Sequence, residues 1–174
     1  MYVFSGRTGE LLFDIRALPS SVDLGYFFVA GVGDVNKDRT PDIYAADFND
    51  SGGTGRAGVY SGRDGSELLS WVGEPGAGFG PGREAGDVDR DGRPDVAVGS
   101  YTSSAGAAFG GKIEIFSGRD GSRLRSITSL TANEQLGFDA VGIGDVDRDH
   151  VPDLLGTAAN GETVYVIAGE AEDR

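Results

Sequence analysis

The feature that most constrains this chain is a nine-residue acidic loop that occurs three times. The copies span residues 34–42, 87–95 and 145–153, so their starts lie 53 and 58 residues apart. In each copy, side chains that carry oxygen occupy positions 1, 3, 5 and 9, a glycine precedes position 1 and a proline precedes position 9. One acidic loop would be weak evidence, but three with one spacing indicate a repeat protein that binds a hard divalent cation.

A second motif, Ser-Gly-Arg-x-Gly, recurs between apolar runs and is called the turn motif below. Its copies begin at Ser5, Ser61 and Ser117, 56 residues apart each time, and a degenerate copy follows at Val166–Gly169. The glycines of this motif can adopt the positive φ angles that a tight hairpin demands. Each unit therefore reads as four short strands, with the acidic loop between the first two and the turn motif between the last two.

The strands are predicted from apolar runs beside these two motifs. The predicted first and second strands are Tyr26–Val32, Arg83–Ala85 and Phe138–Ile143, then Ile43–Ala46, Val96–Val98 and Leu154–Leu155. The predicted third strands are Val59–Tyr60, Ile113–Phe116 and Val164–Ile167. The fourth strands carry apolar residues at two matching positions, which are Leu12, Leu68 and Leu124, and Ile15, Trp71 and Ile127. Four antiparallel strands in each unit of this length are typical of a β-propeller blade.

The chain is therefore predicted to be all-β, a partial β-propeller of four-stranded antiparallel blades. Residues 1–17 supply the last two strands of a blade, 24–72 and 79–128 two whole blades, and 136–168 the first three strands of another. About three blades' worth is not enough to close a ring alone, because propellers have about four to eight blades. We expect further blades from the same longer chain or from another copy. A sandwich of about a dozen strands fits the turn spacing, but it has no reason to repeat its loops.

The charge of the chain excludes several kinds of partner. Its 28 acidic and 15 basic residues give a formal net charge of −13, and no basic stripe is present to displace the counterions of a nucleic acid. Such acidity also disfavours anionic lipid, and no apolar run approaches the length of a membrane span. The absence of cysteine excludes disulfides and thiolate metal sites. We predict no nucleic acid partner and no membrane insertion, and we expect no signal peptide at the N-terminus of this sequence.

With these motifs in hand, the chain resembles the FG-GAP repeat family, which forms the blades of the integrin α-chain propeller and of bacterial relatives. The FG element is similar to Leu24-Gly25, Phe79-Gly80 and Leu136-Gly137. The GAP element is looser, at Ala45-Ala46-Asp47, Gly99-Ser100-Tyr101 and Gly156-Thr157-Ala158. The resemblance covers nearly the whole chain, and the order in which the motifs follow one another is more specific than any one of them.

The resemblance implies that the acidic loops hold up to three Ca²⁺ ions, through side chains at positions 1, 3, 5 and 9 and a backbone carbonyl at position 7. The implied metal ligands are Asp34, Asn36, Asp38, Thr40, Asp42, Asp87, Asp89, Asp91, Arg93, Asp95, Asp145, Asp147, Asp149, Val151 and Asp153. Ca²⁺ takes six to eight oxygens, whereas Mg²⁺ demands near-octahedral geometry and fits less well. An EF-hand is excluded, because it needs a glutamate at position 12, where these loops have Ala45, Val98 and Gly156.

The three loops are predicted to differ in strength, with the middle one strongest, the third next and the first weakest. Position 6 is Gly92 in the middle loop, but it is Arg39 in the first and His150 in the third. A side chain at this position must accept an unfavourable backbone angle or alter the turn. The first loop also has Asn36 in place of a carboxylate. His150, the only histidine, is interpreted as a solvated loop residue, because imidazole suits softer metals than Ca²⁺.

The resemblance implies a calcium-stabilised, non-catalytic binding, adhesion or scaffold module of a larger extracellular or cell-surface protein. A protein or glycan ligand is expected on the upper loops, although plain linkers would have the same composition. The predicted upper loops are Asp47–Ala57, Tyr101–Gly111, Ala17–Asp23, Gly73–Gly78 and Ser129–Glu134. The alternative is a propeller segment of a secreted enzyme such as a polysaccharide lyase or a phospholipase. No catalytic residue is predicted, because the lone His150 and the absence of cysteine leave no nucleophilic machinery.

Overall fold

The computed structural model describes residues 1–16 and 23–169, and these residues form an all-β fold. Their strands are β1 (Tyr2–Phe4), β2 (Leu11–Asp14), β3 (Val29–Gly31), β4 (Ile43–Asp47), β5 (Arg56–Tyr60), β6 (Glu67–Val72), β7 (Phe79–Gly86), β8 (Asp95–Ser100), β9 (Lys112–Phe116), β10 (Arg123–Thr128), β11 (Leu136–Gly144), β12 (Asp153–Ala158) and β13 (Thr163–Ile167). A short helical segment, α1 (Asp50–Gly53), follows β4, but Ser51 and Gly52 within it have positive φ, so it is closer to a turn. Within the described ranges, none of the helical structure has the length and apolar character to cross a membrane.

The strands form four antiparallel sheets in which neighbours along the chain are neighbours in the sheet. The orders are β1-β2, β3-β4-β5-β6, β7-β8-β9-β10 and β11-β12-β13. Each sheet falls within one of the four predicted blade segments, whose boundaries themselves stay predictions. The predicted fold class, all-β with four-stranded antiparallel blades, is confirmed.

The second and third strands of each full sheet form the core. Every residue of β8 and of β9 is buried, whereas the outer strand β10 is partly exposed along its whole length. These central strands lie between adjacent sheets and are buried on both faces, which explains why Val96, Val98, Ile113 and Ile115 are all fully buried. Burial on both faces favours β-branched residues, and the sequence supplies them.

The first strands differ most from the prediction. β3 begins only at Val29, because a turn closed by the hydrogen bond from Tyr26 N–H to the Asp23 carbonyl, at 2.9 Å, precedes it. Tyr26 and Phe27 are consequently 69% and 62% exposed. β7 and β11 are longer than predicted and contain register shifts, which keep Gly-rich segments within the sheet.

Consecutive sheets pack on each other in a repeated way. Trp71 of β6 donates a hydrogen bond from Nε1 to the carbonyl of Gly121 at 2.8 Å, and its ring lies 4.9 Å from that of Phe116. Phe13, in the corresponding strand of the first sheet, lies over Gly65, where a Cβ atom would come within 2.9 Å of the ring. Gly65 and Gly121 occupy the same position of the turn motif. The last glycine of that motif therefore receives a large side chain from the preceding sheet.

Candidate metal centre

The three acidic loops occupy equivalent places in the fold. The first loop (residues 34–42) joins β3 to β4, the middle loop (87–95) joins β7 to β8, and the third loop (145–153) joins β11 to β12. Each loop thus connects the first and second strands of its sheet. Because the sheets share one strand order, all three loops emerge from the same edge of their sheets.

The aspartate at position 1 holds the loop closed. In the middle loop, Oδ2 of Asp87 accepts a hydrogen bond from the backbone N–H of Gly92, at position 6, over 2.9 Å. The other loops repeat this bond, from Arg39 N–H to Asp34 Oδ2 at 2.7 Å and from His150 N–H to Asp145 Oδ2 at 2.9 Å. One oxygen of the first aspartate is therefore used to fix the loop backbone.

Positions 3 and 5 use one oxygen each in the same way. Oδ1 of Asp89 accepts the N–H of Asp91 at 3.1 Å, and Oδ1 of Asp91 accepts the N–H of Arg93 at 2.9 Å. The corresponding bonds in the other loops join Asp38 N–H to Asn36, Thr40 N–H to Asp38, Asp149 N–H to Asp147 and Val151 N–H to Asp149. Such side-chain-to-backbone bonds two residues apart are Asx turns. A succession of Asx turns curls each loop around its own carboxylates.

The aspartate at position 9 connects the acidic loop to the turn motif. Oδ2 of Asp95 accepts the N–H of Val88 at 2.7 Å, and Oδ1 accepts the N–H of Gly118 at 3.0 Å. Equivalent pairs join Asp42 to Val35 and Gly62, and Asp153 to Val146 and Gly169. A Cβ atom on Gly118 would lie 1.9 Å from the Pro94 carbonyl oxygen, so no other residue fits there. The sequence showed both motifs at one period but did not reveal this contact between them.

The environment of these position-9 aspartates shifts their pKa values. Asp95 is 0% exposed, and burial raises the pKa of its carboxyl to about 7, against the opposing effect of the N–H groups of Gly118 and Val88. Burial also raises the pKa of Asp42. At Asp153, in the last sheet, the hydrogen bond from the Gly169 N–H prevails and lowers the pKa. A cation beside Asp95 would favour its ionised form and oppose the effect of burial.

The middle loop contains buried oxygen atoms that lack a partner. Oδ1 of Asp87 and Oδ2 of Asp91 are inaccessible to solvent and accept no hydrogen bond. Ligand oxygens of Asp87, Asp89 and Asp95 lie within 4.8 Å of one another. Buried carboxylate oxygens without a donor are costly unless a cation or water satisfies them. The donor set, made of hard oxygens on a curled loop, fits Ca²⁺.

The other two loops meet this test less fully. Asp145, Asp147 and Asp149 of the third loop also bring ligand oxygens within 4.8 Å of one another, but these residues are exposed. In the first loop, Nδ2 of Asn36 donates to Oδ2 of Asp38 at 3.3 Å, so the amide occupies an oxygen that is left without a partner in the middle loop. This geometry agrees with the predicted order of the three sites. The order, and the position-7 carbonyls as ligands, stay predictions.

The backbone at position 6 is left-handed in all three loops. The φ angles are 71° at Arg39, 84° at Gly92 and 73° at His150. Arg39 and His150 therefore accept the unfavourable angle rather than alter the turn. Position 4 is also left-handed, with Lys37, Arg90 and Arg148 at φ angles of 63°, 60° and 71°. Nothing in the sequence indicated this second strained position, because lysine and arginine are not residues that favour it.

Replacing His150 by glycine is expected to raise the free energy of unfolding by about 1 kcal/mol, because glycine adopts the left-handed region without a Cβ clash. The His150 side chain is 89% exposed, so little packing would be lost. Urea unfolding of His150→Gly beside Gly92→Ala measures the effect. The alanine variant is expected to lose a similar amount. Equal stability of His150→Gly and the parent protein would contradict the strain argument.

One comparison with known proteins identifies the repeat. Residues 87–156, from the middle loop to the third loop and into β12, match a protein-family profile described as FG-GAP-like repeat. The match confirms the resemblance to the FG-GAP repeat family. None of the curated proteins compared matches the chain at a significant level. FG-GAP repeats are in general non-catalytic modules of extracellular proteins, and they commonly bind Ca²⁺.

Proposed function

We propose that this chain is a calcium-stabilised β-propeller repeat module, which serves as a non-catalytic binding, adhesion or scaffold part of a larger extracellular or cell-surface protein. The observation that carries the proposal is the pair of buried oxygens in the middle loop, Asp87 Oδ1 and Asp91 Oδ2, which accept no hydrogen bond. A bound Ca²⁺ supplies the positive charge that such a cluster of carboxylates needs. The residues of the loop hold the ion between the first two strands of the blade.

The Asx turns define how the chain divides this work. One oxygen of Asp87, Asp89 and Asp91 fixes the backbone, which leaves the second oxygen of each for the ion. Both oxygens of Asp95 already accept N–H groups, yet a carboxylate oxygen has a further lone pair to offer. Calcium would therefore stiffen a loop whose shape is already set by hydrogen bonds, and Asp95 would pass that rigidity to the turn motif.

The upper loops, at the opposite end of the strands, are proposed to carry the protein or glycan ligand. These loops are tied together across adjacent sheets, by hydrogen bonds from Gly78 N–H to the Gly53 carbonyl at 3.0 Å and from Thr102 N–H to the Ala77 carbonyl at 3.1 Å. Such cross-links favour a preformed surface over independent linkers. Of the predicted upper loop Ala17–Asp23, residues 17–22 lie outside the described residues.

Aromatic side chains add to the contact character of the upper end. Phe48 lies 5.8 Å from Phe27 and 6.5 Å from Tyr101, and Tyr101 lies 5.5 Å from Phe138, as measured between ring centroids. Together with Phe28, these four rings line a pocket of about 320 Å³ that spans three sheets. Phe27 and Phe138 remain 62% and 47% exposed, which is the exposure expected of a contact surface rather than of a core.

Calorimetric titration with Ca²⁺ and with Mg²⁺ tests the metal half of the proposal. The parent protein is expected to bind Ca²⁺ in preference to Mg²⁺, and Asp89→Ala/Asp91→Ala is expected to lose one site. Glu10→Ala/Glu162→Ala removes two exposed carboxylates outside the loops and is the matched control. Loss of binding in both double variants, or no calcium heat in the parent protein, would overturn the proposal.

A further inference from the structure

Two arginines of the middle loop reach the loops on either side of it. Nη1 of Arg93 donates a hydrogen bond to the carbonyl of Val35 in the first loop. Nη2 of Arg90 donates to the carbonyl of Asp149 in the third loop, at 3.1 Å. The three acidic loops, which lie in three separate sheets, are therefore linked in a row through the middle one.

Both arginines are integral parts of the middle loop. Arg90 lies between the aspartates at positions 3 and 5, and its left-handed backbone, with φ of 60°, belongs to the curl of the loop. Arg93 donates its backbone N–H to Asp91 at position 5. The backbone that curls around the carboxylates thus sets where each guanidinium can reach. A change in how tightly the middle loop is held changes the position of both.

The groups that these arginines contact lie within the neighbouring ligand sets. Val35 stands between Asp34 and Asn36, is 2% exposed, and donates its own N–H to Asp42 Oδ2 at 2.9 Å. Asp149 is the position-5 residue of the third loop, and its Oδ1 accepts the N–H of Val151 at 2.7 Å. Each guanidinium therefore holds a peptide unit whose side chains, or whose neighbours' side chains, face the next proposed calcium ion.

Apolar contacts follow the same path. A Cβ atom on Gly33, the residue before the first loop, would lie 3.0 Å from Cγ of Pro94 in the middle loop. A Cβ atom on Gly86, the residue before the middle loop, would lie 2.8 Å from Pro152 in the third loop. The position-8 proline of each later loop thus packs directly on the glycine that starts the loop before it. The three loops form one continuous surface rather than three separate sites.

We propose that Arg90 and Arg93 couple the three acidic loops, so that they bind Ca²⁺ cooperatively with the middle loop as the centre. The inference rests on the proposed calcium function. A cation in the middle loop fixes the backbone at positions 4 and 7 and so fixes both guanidinium groups. The flanking loops are then partly ordered before their own ions arrive, and the ordering entropy opposes their binding less. By reciprocity, occupied flanking loops also raise the affinity of the middle loop.

Calcium titration of Arg90→Met/Arg93→Met, followed by calorimetry, tests the coupling. Methionine keeps the apolar stem but removes the donors and the charge. Arg7→Met/Arg119→Met removes the same charge from two exposed positions of the turn motif and is the control. The parent protein and the control are expected to fill their sites steeply. In the Arg90/Arg93 variant, the flanking loops are expected to bind about 3- to 10-fold more weakly and independently of the middle loop.

The single variants assign each link. Arg93→Met is expected to weaken the first loop alone, and Arg90→Met the third loop alone. Arg90→Lys/Arg93→Lys keeps both charges with fewer donors, and its affinities are expected to fall between the methionine variant and the parent, which holds the test open should the methionine variant fold poorly in chelator. Three calcium ions bound with identical isotherms in the double variant and the control would overturn the coupling but leave calcium binding intact. A parent protein that binds no calcium would overturn the proposed function, and the coupling with it.

Discussion

Replacing Asp95 by alanine is expected to lower the free energy of unfolding by about 3–5 kcal/mol, even with calcium removed by a chelator. The carboxylate is 0% exposed and accepts the N–H groups of Val88 and Gly118. Alanine would leave both donors buried without an acceptor, and each such donor costs about 1–3 kcal/mol. Denaturant unfolding in excess chelator measures this loss without any contribution from a metal.

Asp91→Ala is the matched control within the same loop. Its Oδ1 accepts only the N–H of Arg93, and its other oxygen makes no hydrogen bond, so in chelator we expect a loss of no more than about 1 kcal/mol. Gly118→Ala should reproduce the large effect from the other partner, because its Cβ atom would collide with the Pro94 carbonyl. Equal unfolding curves for Asp95→Ala and Asp91→Ala in chelator would refute the role given to the position-9 aspartate.

Calcium itself is expected to produce the second large effect. An ion that binds only the folded state stabilises it by about 2.7 kcal/mol when its concentration is 100 times the dissociation constant. For a domain of this size, 1 kcal/mol raises the melting temperature by about 2–4 °C, so each occupied loop should add about 5–10 °C. Differential scanning calorimetry in Ca²⁺, in Mg²⁺ and in chelator measures the shift, which should be smaller with Mg²⁺.

Asp89→Ala/Asp91→Ala separates the middle loop from the rest of this effect. In Ca²⁺, this variant is expected to melt below the parent protein by the share of the middle loop, whereas in chelator the two should melt at similar temperatures. The contrast with Asp95 is the useful one, because that residue acts on stability with or without metal. A melting temperature that is the same in calcium and in chelator would count against calcium stabilisation of the parent protein.

The repeated motifs made the strand order predictable. The acidic loop and the turn motif recur with one spacing, so the strands between them could be placed even where apolar runs are short. The length of the first strand was not predictable in this way. Tyr26 and Phe27 look like strand residues in the sequence, yet they lie in an exposed turn. Exposed and buried aromatic residues have the same letters, and only packing against neighbouring sheets distinguishes them.

Within the loops, the sequence identified the oxygen-bearing side chains but not how each one divides its two oxygens. Asp95 reaches Gly118 across 23 residues, and that contact requires the register between β8 and β9. The bonds from Arg90 and Arg93 to the flanking loops require the placement of whole sheets against one another. No spacing rule within one repeat contains that information. The sequence therefore predicts the composition of the candidate site, and the fold determines its connections.

The most direct measurement is the anomalous diffraction of calcium-soaked crystals of this chain, with the density inspected in the middle loop. We predict a strong peak at about 2.3–2.6 Å from Asp87 Oδ1 and Asp91 Oδ2, the two oxygens that lack hydrogen bonds. Weaker peaks are expected in the third loop and then in the first. An ordered middle loop whose carboxylates surround only water at saturating calcium would contradict the central claim.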